Sequence, residues 1–305
     1  MPRRFLSLPC LLVALVAPGC GSPELNSDDF VAKHHTESRN ALMTDQAERA
    51  LNAGNVGMAS EYLEKIASSL GSSAQSQLVL ARTLIASSKF YEANEILAAL
   101  AEDFPDEAEV DLVSGTLAEA RGRWEAARVA YERALNKTPD SLVATLLRAR
   151  VDLVLGQPQN AAALLERKLA IMPGVRDLQE ALAEAYLAAG DYGLAADWYR
   201  VALDHDSSVE ALRVRLAFAQ SLNSDHLQAL RTIREVQDPA VPPYVQLALA
   251  RSALMIDEGA EAQHWLQFYV DAFPDDDSAW IDLARAHLLQ GADAAALNAL
   301  RAALR

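Results

Sequence analysis

The sequence lacks several residue types and patterns, and each absence removes a class of function. Only two cysteines, Cys10 and Cys20, occur among 305 residues, so a disulfide framework is excluded. No phosphate-cradling glycine loop, Gly-x-Ser-x-Gly elbow, His-Glu-x-x-His helix or Cys-x-x-Cys pair is present. The sequence therefore predicts no enzyme, no catalytic residues and no cofactor.

Clusters of basic residues are also missing. The formal net charge is −15 at pH 7, and no run of lysine or arginine interrupts the acidic excess. Such a chain repels the phosphates of nucleic acids and anionic lipid headgroups. We therefore do not expect nucleic acid among its partners.

Two short segments contain residue types that bind metals, but neither predicts a metal site. His34 and His35 are followed by Glu37, yet adjacent histidines on one helix cannot both face the same ion. The three aspartates at 275–277 are more simply explained as a helix cap whose charge favours the positive end of the helix.

What the sequence does contain is a periodic placement of small residues. One series recurs at a constant interval, the length of one helical hairpin, with a single shortening near its end: Ala59, Ala93, Ala127, Ala161, Ala195, Ala229, Ala262 and Ala296. A second series lies about three helical turns earlier: Ala47, Ala81, Gly115, Ala149, Ala183, Ala217, Ala250 and Ala284. A period of this length indicates a solenoid, in which each unit buries its apolar face by stacking on its neighbours. It favours binding over catalysis.

Each period is typical of two helices joined by a tight turn. In the clearest unit, apolar residues at helical spacing flank Gly190, which can end the first helix with a positive φ. The same turn position in the other units is occupied by Gly54, Ser88, Gly122, Gly156, Ser224, Asp257 and Gly291. Four units are closed by a proline, where a helix must stop: Pro105, Pro139, Pro173 and Pro274.

This combination of small residues, aromatic residues, turn glycine and closing proline resembles the tetratricopeptide repeat family over residues 40–305. The resemblance implies an all-α fold, a right-handed superhelical solenoid of about eight helix-turn-helix repeats. It also implies that the first helices of successive units line a concave groove that holds a protein or peptide partner. The sixth unit departs from the pattern around residues 239–243.

Residues 1–19 have the anatomy of an export signal. Arg3 and Arg4 precede an apolar stretch that is too short to span a membrane comfortably. Gly19 before Cys20 resembles bacterial lipoprotein signals, in which the cysteine receives the lipid, and in that family Gly21 favours the outer membrane. An ordinary secretory cleavage is the alternative.

These features predict three segments and a location. Residues 1–19 are the lipoprotein signal peptide, residues 20–39 the lipidated cysteine and a flexible tether, and residues 40–305 the repeat array. We expect the protein in the cell envelope, lipid-anchored at the outer membrane and facing the periplasm. A soluble periplasmic or secreted adaptor is the alternative.

Equivalent positions on the first helices form columns in the expected groove. One column is rich in arginine, and its neighbours are mainly apolar. The candidate partner-binding residues are Leu78, Arg82, Leu146, Arg150, Phe218, Leu247, Arg251, Ile281 and Arg285. Arginine forks suit carboxylates, and apolar strips suit an amphipathic helix. The alternative is that the leucines pack on adjacent helices and the arginines pair with nearby glutamates.

The last unit ends in an apolar set of side chains, Leu297, Leu300 and Leu304. This set predicts either a docking or dimer surface or a short exposed apolar patch that the protein tolerates.

Our hypothesis from the sequence is a membrane-anchored interaction scaffold of the bacterial envelope that supports assembly, secretion or polysaccharide export. A scaffold that contacts cell-wall glycan or exported polysaccharide directly is the alternative, with Phe218 and Tyr244 as its only support.

Overall fold

The structure, a computed structural model, describes residues 27–66, 73–205, 209–236 and 241–304. Cys20 and the predicted signal peptide lie outside the described residues. Within them the chain forms sixteen α-helices and no strand. The helices are α1 (Ser27–Asn52), α2 (Val56–Glu64), α3 (Ala74–Ala86), α4 (Phe90–Asp103), α5 (Ala108–Ala120), α6 (Trp124–Lys137), α7 (Leu142–Val154), α8 (Pro158–Leu169), α9 (Arg176–Ala189), α10 (Tyr192–His205), α11 (Glu210–Leu222), α12 (His226–Ile233), α13 (Pro243–Met255), α14 (Gly259–Ala272), α15 (Asp277–Leu289) and α16 (Asp293–Ala302).

The helices are arranged as eight consecutive helical pairs, which confirms the predicted all-α array of about eight repeats. The chain divides into two compact units, residues 1–72 and 73–305. In the first unit α1 packs on α2, and in the second unit each helix from α3 to α16 packs on the next one along the chain. No helix in the described ranges is long and apolar enough to cross a membrane.

The start of α1 differs from our expectation. We predicted a flexible tether over residues 20–39, but α1 begins at Ser27 and therefore includes residues 27–39. The polar composition of the segment favoured the tether.

The two series of small residues are buried throughout, as their periodicity predicts. They lie where paired helices approach each other, so a larger side chain at these positions would separate the helices. Gly115 is the extreme case: a Cβ placed on it would lie 2.3 Å from the ring of Tyr131. The close approach of α5 and α6 therefore requires glycine at this point.

The turns within the pairs also match the sequence prediction. All eight turn positions have positive φ, including the three that are not glycine, Ser88, Ser224 and Asp257. Pro158 is placed in the first turn of α8, where its missing N–H has no intrahelical partner to lose. Asp276 caps α15 by accepting hydrogen bonds from the backbone N–H groups of Ser278 and Ala279, as expected for this acidic segment.

The odd-numbered helices of the second unit line its inner face. Helix α3 contacts α5, α7 contacts α9, and α13 contacts both α11 and α15. Consecutive even-numbered helices in the described part of this unit make no comparable contacts. Because the odd-numbered helices are closer together, they occupy the concave side of this second unit, and the even-numbered helices occupy its outer side.

Candidate partner-binding face

The predicted groove arginines are engaged with groups on neighbouring odd-numbered helices. Three of them form ion pairs, which are Arg82–Glu109, Arg150–Glu119 and Arg251–Asp282. The fourth, Arg285, donates to the backbone carbonyl of Leu254 at 3.5 Å. Three of the four arginines thus follow the alternative in which they pair with nearby acidic residues. A partner carboxylate would have to compete with the carboxylate already in place. Their role in partner binding stays a prediction.

The apolar candidates differ in accessibility, and one prediction is wrong. Leu78 is only 2% exposed and belongs to the core between α3, α4 and α5, so it does not face a partner. The Leu78 side chain points between the helices because α3 lies against both α4 and α5. Leu146 and Leu247 are half-buried against their cores, and Ile281 is largely exposed.

A polar network connects α5, α6 and α7. Tyr131 is fully buried, and its hydroxyl donates to Glu119 Oε1 at 2.8 Å. The other carboxylate oxygen of Glu119 accepts from the guanidinium of Arg150. Burial and the bond to Glu119 raise the pKa of Tyr131 far above its ordinary value. The hydroxyl is therefore satisfied inside the protein.

The equivalent positions two repeats later keep the tyrosine but lack the two charged residues of this network. The positions of Glu119, Tyr131 and Arg150 are taken by Leu187, Tyr199 and Phe218, respectively. Tyr199 is as fully buried as its counterpart, but its hydroxyl has no hydrogen-bond partner among the described residues. Burial raises its pKa, as it does for Tyr131. The two sites share a tyrosine and differ in what surrounds it.

A pocket of about 390 Å³ opens on the inner face beside Tyr199, between α9, α11 and α13. Its apolar lining includes Leu187, Val214, Phe218, Tyr244 and Val245. The rings of Phe218 and Tyr244 meet edge to face, with centroids 5.0 Å apart and an interplanar angle of 76°. An aromatic pair thus joins α11 to α13.

Glu184 and Arg215 also line this pocket and form an ion pair. Arg215 lies 4.0 Å from Glu180 as well. Desolvation raises the pKa of Glu184, although Arg215 acts in the opposite direction. The charges of the pocket are therefore already neutralised within the protein.

Sequence reasoning found Phe218 but missed Tyr199 and Arg215. Tyr199 was not among the candidate partner-binding residues. The signal that could have identified it is the comparison of equivalent positions: two repeats have a tyrosine in the same place, and only one of them has Glu119 and Arg150 nearby.

A larger cleft of about 510 Å³ lies between α6, α7 and α8 and contains several basic side chains. Arg148 pairs with Asp152 and with Glu132, and its pKa is lowered chiefly by burial. Lys168 donates to the carbonyl of Pro139 at 3.0 Å. These cations serve the packing of the repeats.

The C-terminal leucines Leu297, Leu300 and Leu304 are exposed. Their predicted use as a docking or dimer surface is not tested by this exposure. No group of three or more His, Cys, Asp or Glu side chains in the described ranges could hold a metal ion.

The matched tyrosines give a prediction for stability. Replacing Tyr131 by phenylalanine should lower the free energy of unfolding by about 1–2 kcal/mol, because the hydrogen bond to a carboxylate is lost. The same change at Tyr199 should raise it by about 1 kcal/mol, because an unpaired hydroxyl is no longer buried. Urea denaturation followed by circular dichroism measures both. Destabilisation of the same size at both positions would contradict the assignment of Tyr199 as unpartnered.

Comparison with known proteins agrees with this geometry. The family model for the tetratricopeptide repeat matches residues 78–141 and 146–209. No curated protein matches the chain in sequence.

Several solved structures share the fold. A tetratricopeptide repeat protein from Parabacteroides merdae ATCC 43184 is 12% identical, with a TM-score of 0.55 over 88% of this chain and 100% of that one. The protein pilF from Pseudomonas aeruginosa is 14% identical, with a TM-score of 0.53 over 84% and 99%. A thermophilic protein from Thermus thermophilus is 24% identical, with a TM-score of 0.50 over 59% and 98%. These identities establish the fold alone. Residues 78–141 and 146–209 match the tetratricopeptide repeat family, whose fold serves as a scaffold for protein–protein interaction.

Proposed function

We propose that the chain is an interaction scaffold of the bacterial cell envelope that holds a protein or peptide partner on the inner face of its second unit. The observation that carries this proposal is the pocket beside Tyr199, where half-buried and exposed aromatic side chains border a cavity on the odd-numbered helices. Apolar and aromatic anchors in such cavities supply most of the energy of peptide recognition.

The proposal assigns no catalysis to the chain. Four arginines of the inner face, Arg82, Arg150, Arg215 and Arg251, are held in ion pairs between neighbouring helices. Such pairs brace adjacent repeats, whereas catalysis needs a convergent set of polar groups around one reacting atom.

The envelope location and the anchor are part of the proposal and rest on the first residues of the sequence. A short apolar stretch after Arg3 and Arg4, ending at Gly19 before Cys20, supports export followed by lipid attachment. One acyl chain alone gives marginal membrane binding, so stable anchoring requires the several chains that a lipoprotein cysteine carries. The outer membrane, with the repeats in the periplasm, is the location that Gly21 favours.

The anchor is tested by replacing Cys20 with serine in cells that express the full chain. The variant should leave the washed membrane fraction and appear in the soluble envelope fraction, because the thioether attachment point is gone. Its retention in washed membranes would refute lipid attachment at Cys20.

Partner binding is tested at two exposed tyrosines, one on the inner face and one on an outer helix. Tyr244 is 59% exposed on the inner face, and Tyr91 is 73% exposed on the even-numbered helix α4. In-cell cross-linking and affinity capture from the native chain define the partner set. Tyr244→Ala should reduce capture of that set by about tenfold, as expected for loss of an aromatic anchor, while Tyr91→Ala should leave it unchanged. Equal capture by both variants would refute the inner face as the binding surface.

A further inference from the structure

We infer that the pocket beside Tyr199 receives the side chain of a partner tyrosine or tryptophan, whose polar atom forms a hydrogen bond with the Tyr199 hydroxyl. This inference rests on the proposed function, because it names the part of the partner that the inner face recognises. The pocket volume of about 390 Å³ is at the small end of the range for ligand sites, which suits one bulky side chain.

The unpartnered hydroxyl is the first argument. A buried hydroxyl without a hydrogen bond is costly, and nearly all buried polar groups in proteins have a partner. In the equivalent site two repeats earlier, the Tyr131 hydroxyl obtains this bond from Glu119. At Tyr199 the chain places Leu187 where that carboxylate would be, and no described residue supplies the hydrogen bond instead.

The walls of the pocket decide what kind of side chain brings that bond. Leu187, Val214 and Val245 offer aliphatic contact, and the edge-to-face pair of Phe218 and Tyr244 can extend to a third ring. A small polar side chain would leave most of this surface uncovered. An aliphatic side chain would cover it and leave the hydroxyl unpaired.

The charges of the pocket exclude an ionised occupant. Glu184 and Arg215 already neutralise each other, and burial acts against the charged form of Glu184. A further unpaired charge in this position would lose its hydration without gaining a counterion. A neutral aromatic side chain with a polar atom can bond to the hydroxyl, cover the apolar walls and bring no charge into the pocket.

The test uses N-acetyl-tyrosinamide and N-acetyl-phenylalaninamide as probes of the full chain by NMR, with methyl groups labelled. The tyrosine probe should shift the resonances of Leu187, Val214 and Val245, and it should bind about fivefold more tightly than the phenylalanine probe. That ratio corresponds to one hydrogen bond of about 1 kcal/mol. Equal affinities, or shifts confined to other parts of the chain, would overturn the inference.

Two variants assign the effect to this pocket. Tyr199→Phe retains the ring and removes the hydroxyl, so both probes should bind with the affinity of the phenylalanine probe. Leu187→Glu combined with Phe218→Arg rebuilds around Tyr199 the set of residues found around Tyr131, and should reduce binding of the tyrosine probe by about tenfold or more. Undiminished selectivity in the first variant, or undiminished binding in the second, would also overturn it.

These results are separable from those of the proposed function. If the probes do not discriminate while Tyr244→Ala still reduces partner capture, only the identity of the recognised side chain is wrong. If both experiments fail, the inner face of this unit is not the binding surface.

Discussion

Replacing Gly115 by alanine is expected to lower the free energy of unfolding of the second unit by about 3 kcal/mol, even though seven of the eight repeats have alanine at this position. Alanine is the better helix former by about 1 kcal/mol, so propensity alone predicts the opposite sign. The new Cβ would lie 2.3 Å from the ring of Tyr131, a distance that real carbon atoms do not tolerate. Tyr131 would have to move away from α5.

The cost of that movement includes the loss of a hydrogen bond. Tyr131 is placed so that its hydroxyl reaches Glu119, and a displaced ring would leave both groups without this bond. Ala183 and Tyr199 show that alanine and tyrosine can occupy equivalent positions in a repeat, but there the hydroxyl has no partner among the described residues. Glycine at 115 thus permits the arrangement in which the tyrosine is satisfied.

A second substitution provides the control. Gly115→Ala together with Tyr131→Leu recreates the combination of Ala81 with Leu97, which is buried in the second repeat. The double variant should recover most of the stability lost in the single one, as measured by urea denaturation. If Gly115→Ala alone is neutral, or if the double variant is no more stable than the single one, the close approach of the two helices is not the cause.

Replacing Arg148 by leucine is expected to cost about 3–5 kcal/mol, the range found when one partner of a buried ion pair is removed. Asp152 is 1% exposed, and the Arg148 side chain with which it pairs is 13% exposed. Leucine at 148 would leave the aspartate buried and without its cation. Five other repeats have leucine at the position of Arg148, so the substitution itself fits the helix.

The matched control removes the charge as well. In α3 the two equivalent positions are Leu80 and Leu84, so Arg148→Leu with Asp152→Leu transfers an arrangement that this chain already uses. We expect the double variant to be at least as stable as the native chain, because apolar replacement of a buried ion pair is often neutral or stabilising. Thermal denaturation of the single and double variants measures the difference. A double variant that is as unstable as Arg148→Leu would show that the aspartate has another essential role.

Much of the fold could be predicted because each repeat constrains the next one. A residue buried in one hairpin marks the same position in all the others, so the small residues, the turns and the closing prolines were located from spacing alone. The start of α1 could not be located in this way, since the residues before it have no equivalent in the repeat. There the polar composition led to a tether where the structure has a helix.

The binding face was harder to predict because it depends on how repeats differ. Leu78 was assigned to the groove, but the contact between α3 and α5 buries its side chain. Exposure on the inner face depends on the spacing of adjacent helices, and periodicity does not report that spacing. Tyr199 differs from Tyr131 in the residues around it, so it is found by comparing how equivalent positions differ between repeats rather than by what the repeats share.

The two tyrosine sites also bear on how such a protein can acquire a ligand. Around Tyr131, Glu119 and Arg150 satisfy the buried hydroxyl, and around Tyr199 two apolar residues leave it without a partner among the described residues. In a duplicated hairpin, two substitutions can therefore replace an internal hydrogen-bonded network with a binding pocket. The neighbouring copies preserve the architecture while that exchange takes place.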